Sequence, residues 1–91
     1  MEPQVAQKNT TNVLLVDDDK FLLNMYARKL EHSGFHIESA ENGQQALEKL
    51  KAGYSPDVLL VDVIMPGMDG FSLIKEIKQQ NLVPRAKIIM L

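Results

Sequence analysis

Three carboxylates stand in a row at Asp17, Asp18 and Asp19, directly behind the apolar run "NVLLV". Another, Asp62, stands directly behind a second run, "VLLV". Ionised carboxylates this close repel one another, and each is destabilised unless something neutralises it. If the two runs are neighbouring strands, Asp17, Asp18 and Asp62 meet at one edge of a sheet. A loop carbonyl just after Asp62, such as that of Ile64, would complete a cavity lined only by oxygen. Hard oxygen donors with room left for water describe a Mg²⁺ site, since Mg²⁺ takes few carboxylates and keeps several waters. Without the cation, one of the acids should titrate high. A single acid after a strand is usually a helix cap, and Asp19 alone reads as one. Only one residue can cap one helix, so capping does not account for the others, and burying uncompensated acids is costly.

The elements that must position these acids alternate along the chain. Residues 12–16 form a short apolar run. After the acids, Leu22, Met25, Tyr26 and Leu30 recur at i, i+3, i+4 and i+8, one face of an amphipathic helix. Gly34 stands where a left-handed residue would stop it. "FHIESA" alternates apolar and polar residues, which suits a strand at the margin of a sheet. "NGQQALEKLKAG" predicts a second helix burying Ala46, Leu47 and Leu50 and ending near Gly53. The uninterrupted run from Val58 to Val61 suits a central parallel strand covered on both faces. The turn-rich "VIMPGMDG" leads into a third helix, with Phe71, Ile74 and Ile77 on a shared face, and "AKIIML" is a fourth apolar run. The order βαβαβαβ with short connections implies a parallel sheet with right-handed crossovers and helices on both faces. In such sheets ligands bind beyond the carboxyl ends of the strands.

Composition narrows the function classes. With 45% hydrophobic and 24% charged residues, the 91-residue chain is a globular domain of small size. The longest apolar stretches are interrupted by Asp62 and Pro66, so none spans a membrane. The opening residues lack a signal peptide's basic start and apolar core, and residues 1–11 read as a disordered polar tail before a domain at 12–91. Cysteine is absent, which excludes disulfides and thiolate metal sites and fits a cytoplasmic setting. The net charge of −2, with no basic block, argues against direct binding of nucleic acid. His32 and His36 are too isolated to form a metal pair and read as surface residues.

The stretches "NVLLVDDDKFLL", "ESAENGQQALEKL", "PDVLLVDVIMPGMDGFSLIKEIK" and "KIIML" resemble the receiver domain of two-component response regulators, from about Asn12 to Leu91. The resemblance implies a flavodoxin-like, doubly wound α/β fold with strand order 2-1-3-4, the fifth strand and last helices of the family being absent. It implies that Asp62 accepts a phosphoryl group from a histidine kinase or phosphotransfer protein. Asp18 and Asp17 would bind Mg²⁺ together with Asp62 and the backbone carbonyl of Ile64, where many relatives carry a polar side chain. Met65, Pro66, Gly67 and Gly70 would shape the loop and the start of the third helix without a chemical role. The family's switch Ser or Thr and its Lys lie beyond Leu91, which implies an impaired switch. The last strand would then be a bare edge beside an uncovered sheet face, and the chain is expected to self-associate there. A downstream effector is the remaining expected partner.

Two other readings compete. Asp17-x-Asp19 imitates the opening of haloacid-dehalogenase-type phosphatases, but Lys20 and Phe21 stand where that motif wants Thr or Val. The second is a receiver-like interaction or assembly module that is not phosphorylated. Receivers that have lost the chemistry usually lack one of the acids, and all three stand in this sequence.

Overall fold

The computed structural model describes residues 11–65 and 67–91. The expected polar tail, apart from Thr11, lies outside the described residues, as does Pro66. The elements are β1 (Asn12–Val16), α1 (Lys20–His32), β2 (His36–Ala40), α2 (Gly43–Lys51), β3 (Val58–Val61), α3 (Gly70–Gln79) and β4 (Lys87–Met90). Each strand is followed by a helix until the last, so successive strands run the same way, and the sheet is parallel throughout in the order β2-β1-β3-β4.

Local chemistry sets the helix ends. The Asp19 carboxylate accepts from the amides of Phe21 (3.0 Å) and Leu22 (3.2 Å), so α1 starts where the acid run ends. It stops at Gly34, whose φ of 102° lets its amide turn back to the Glu31 carbonyl at 2.9 Å. Asn42 caps α2 by accepting from the Gln45 amide, while the Gln45 side chain accepts from the Glu41 amide, both at 2.8 Å. Asp69 caps α3 by accepting from the Ser72 amide at 2.8 Å. These last two caps were not picked out from the sequence, although Asn-Gly and Asp-Gly before an apolar periodic segment are start signals.

One face of the sheet carries most of the core. Leu14, Val16, Ala40, Leu59 and Val61 pack there against Ala46, Leu47 and Leu50 of α2 and Leu73 and Ile77 of α3. The second helix thus buries the three residues expected of it. The third does not follow its expected face: Phe71 is 66% exposed, and the buried stripe is Gly70, Leu73 and Ile77. Both stripes contain Ile77; the one that starts on glycine wins because it lets the helix approach the sheet closely.

The other face is covered only in part. Val13 and Leu15 are buried, and Leu23 is the one fully buried residue of α1. Leu22, Met25 and Leu30, expected on the packed face, are half-buried, and Tyr26 is exposed. The helix leans mainly on β1 and β2, so its side toward β3 and the end of β4 is only loosely filled. There Leu15, Tyr26, Lys29, Leu30, Leu60 and Leu91 line an apolar cavity of about 240 Å³. Ile89 and Leu91 remain 43% and 54% exposed.

At the carboxyl edge the ladder ends in a staircase. The Asp17 amide donates to the Ala40 carbonyl (3.2 Å), the Asp62 amide to Val16 (2.9 Å) and the Leu91 amide to Val61 (2.8 Å). Each residue just past a strand takes the last rung from its neighbour, which brings Asp17 and Asp62 to the same level.

Candidate functional site

Asp17 and Asp62 are the first residues beyond two adjacent central strands, and their backbones are held by the last rungs of the ladder. Their side chains meet that of Asp18. One carboxylate oxygen from each of Asp17, Asp18 and Asp62 lies within 4.8 Å of the others. Asp19 turns away to its cap, so the run of three acids divides into two that face Asp62 and one that begins a helix.

The three acids sit in different surroundings. Asp17 is only 4% exposed, Asp62 is half-buried and Asp18 faces solvent. Burial pushes the Asp17 carboxyl above the ordinary carboxylate range, and the nearby charges of Asp62, Asp18 and Asp19 push the same way. A hydrogen bond at 3.0 Å from the Asp19 amide to Asp17 Oδ1 pulls against them but does not cancel them. Of the three acids, Asp17 is therefore the one that burial and crowding push toward the protonated form.

Ile64 enters the site through its backbone: its amide donates to Asp62 Oδ1 at 3.3 Å, while its side chain is 80% exposed. Met65 is buried in the core and Gly67 has a φ of 81°. Two features of the rim escaped the reading of the sequence. Lys20 reaches Glu41 at 3.8 Å, placing an exposed ion pair beside the acid run. Met68 packs against Gly43, so the loop after β3 touches the start of α2. No spacing within the chain signals either one, because both join residues far apart in sequence. His32 and His36 are exposed, and neither lies among the clustered acids.

Such a cluster suits a hard divalent cation: all the side-chain donors are carboxylate oxygens, and the exposed side leaves room for water. A carboxylate at the centre of the edge, with a cation beside it, can approach an anionic group that it would otherwise repel.

Comparison with known proteins gives consistent results. Residues 13–91 match the family model of the response regulator receiver domain. The chemotaxis protein CheY of Bacillus subtilis is 46% identical over 79 residues, which are 86% of this chain and 63% of that protein. The crystal structure of a CheY-like response regulator receiver domain protein from Methanospirillum hungatei superposes with a TM-score of 0.82 at 40% identity, covering 88% of this chain and 63% of that one. The response regulator TrrA from Thermotoga maritima, solved in complex with Mg²⁺-BeF, superposes with a TM-score of 0.79 at 33% identity, covering 89% of this chain and 68% of that one. The chain thus spans a little under two thirds of the first two relatives.

Proposed function

Because this chain belongs to the response regulator receiver domain family, we propose that it takes a phosphoryl group onto the Asp62 carboxylate from a histidine kinase or a phosphotransfer protein. Mg²⁺ would be held by Asp17, Asp18, Asp62 and the Ile64 carbonyl. The observation that carries this reading is the meeting of the three carboxylates within 4.8 Å at the sheet edge. The Mg²⁺-BeF of the similar TrrA structure supports the choice of cation.

When bound, Mg²⁺ supplies charge neutralisation between the carboxylates and the phosphoryl oxygens. The residues do the rest. Asp17, buried and anchored through the Asp19 amide, supplies a fixed negative charge that costs little further ordering. The Ile64 amide holds Asp62 Oδ1, leaving Oδ2 as the attacking atom. As the new O–P bond forms, the P–N bond of the donor's phosphohistidine breaks; its electron pair stays on the imidazole nitrogen, which is protonated. The transition state is loose and highly anionic, so positioning and charge carry most of the catalysis. The product is an aspartyl phosphate that serves as a signal to a downstream effector, at one phosphoryl group per chain and without turnover of a metabolite.

The setting is the cytoplasm, without direct contact to nucleic acid or membrane. Among the described residues no helix is long and apolar enough to cross a membrane. Self-association through β4 and the half-covered face belongs to the same reading, supported by the exposed Ile89 and Leu91 and the apolar cavity beside them.

Intact-mass measurement tests the central claim. A small phosphodonor with Mg²⁺ should add about 80 Da, one phosphoryl group. Removing the cation with a chelator, or replacing Asp62→Asn, should remove most of it. Full labelling of Asp62→Asn would overturn the assignment of the acceptor.

A further inference from the structure

The first residue of α3 sits against the backbone that carries Asp62. The Gly70 amide donates to the Val63 carbonyl at 2.9 Å. A methyl group on Gly70 would lie 2.6 Å from the Asp62 carbonyl oxygen, 2.9 Å from Val63 Cα and 3.2 Å from the Asp62 carbonyl carbon. All three are main-chain atoms, which cannot rotate aside as a side chain can. The start of α2 offers a contrast. A methyl group on Gly43 would meet only Met68, with its Sδ at 2.9 Å and its Cβ and Cγ at 3.1 Å. Met is a flexible side chain that adapts to such changes.

We infer that Gly70 is a positioning residue for Asp62: its lack of a side chain lets the first turn of α3 seat on the Asp62–Val63 peptide and so fixes the acceptor carboxylate opposite Asp17 and Asp18. Two sets of contacts make the seat rigid. On the helix side, the Asp69 cap and the buried Leu73 and Ile77 prevent α3 from backing away. On the strand side, the Asp62 amide is tied to the Val16 carbonyl. A side chain at position 70 therefore pushes on the peptide after Asp62, and turns the Asp62 carboxylate relative to acids that stay with β1 and α1. Small misplacements of reacting groups are costly, with a shift of about 1 Å worth about a hundredfold in rate.

The inference rests on the proposed cation site, and its test separates the two. Mn²⁺ affinity is measured by electron paramagnetic resonance for the 91-residue chain and for Gly70→Ala, Gly43→Ala and Leu50→Ala, each at a temperature where circular dichroism shows it folded. Leu50→Ala opens the core beneath α2 and reports what lost stability alone does to binding. Gly70→Ala should weaken Mn²⁺ binding about tenfold or more, the scale seen when groups supporting metal ligands are disturbed, whereas the other two stay within about twofold. A Gly70→Ala protein that binds Mn²⁺ like the parent overturns the role of Gly70 alone. A parent that binds no Mn²⁺ overturns the cation site and this role with it. Should Gly70→Ala not fold, amide exchange in the parent decides, because coupling between two sites is reciprocal. Mg²⁺ should slow exchange of the Gly70 amide more than that of Gly43, and an unchanged Gly70 rate would overturn the inference.

Discussion

Asp17 is the residue where the energetic conflict of the site is concentrated. Its carboxyl is raised by burial and by three neighbouring acids, so the folded state disfavours the charged form. The stability linked to Asp17 is present below the ordinary carboxylate range and lost as pH rises through the raised value. Asp69 has the opposite sign: the Ser72 amide bonded to its exposed cap lowers its pKa, so its contribution holds above the ordinary range and is lost as pH falls. Asp17→Asn keeps an oxygen for the Asp19 amide and removes the charge. In a chelator at pH 7 it should therefore raise stability by about 1 kcal/mol, the size of a common single-residue effect. The gain should shrink as pH falls through the raised value of Asp17, where the parent becomes protonated too. Thermal unfolding at several pH values checks this, and a less stable Asn variant at neutral pH would refute it. At this scale the acids were readable from the sequence because three in a row cannot all be caps. For Gly70 the sequence implies only a shaping of the loop and the start of the third helix, since what makes a glycine necessary is the main chain packed against it.

Elements were readable where periodicity and punctuation agreed. The runs before Asp17 and Asp62 became the central strands, and Ala46, Leu47 and Leu50 became the buried face of α2. Periodicity misled where a helix is covered on one side only. For α1 and α3 two apolar stripes overlap, and the neighbouring elements, not the spacing, choose between them. The caps are more local and easier to test. Asp19→Ala removes the acceptor for two amides at the start of α1, and should cost about 1 kcal/mol in urea unfolding. The edge strand gives a second test at this scale. Ile89 is exposed on β4, and a lysine there disfavours pairing with another chain. If the chain self-associates through β4, Ile89→Lys should shift light scattering coupled to size exclusion toward monomer. A parent that already elutes as a sharp monomer at tens of micromolar would refute the self-association itself.

For the molecule as a whole, a cation held by the acid cluster would tie folding to metal binding. A cation bound only by the folded chain stabilises it by mass action, by about 2.7 kcal/mol at a hundred times its dissociation constant. Mg²⁺ should therefore raise the unfolding temperature of the parent but not that of Asp18→Ala. An equal rise in both would move the cation elsewhere. The staircase at the carboxyl edge has a separate consequence, for how the length of the chain can vary. Asp17 and Asp62 each sit one residue past a strand, on rungs fixed by Ala40 and Val16. Adding or deleting one residue within β1 or β3 would turn every later side chain of that strand to the other face and carry its acid out of the cluster. The opposite pole has no such constraint. The turn at Ala52 and Gly53 is exposed, and among the described residues, its chain neighbours aside, none lies within 4 Å of where a side chain on Gly53 would stand. A short peptide spliced in between residues 52 and 53 should leave Mg²⁺ binding intact, because only the connection leading into β3 grows longer. One end of the molecule can take up insertions, while at the other a single residue decides whether the acids meet.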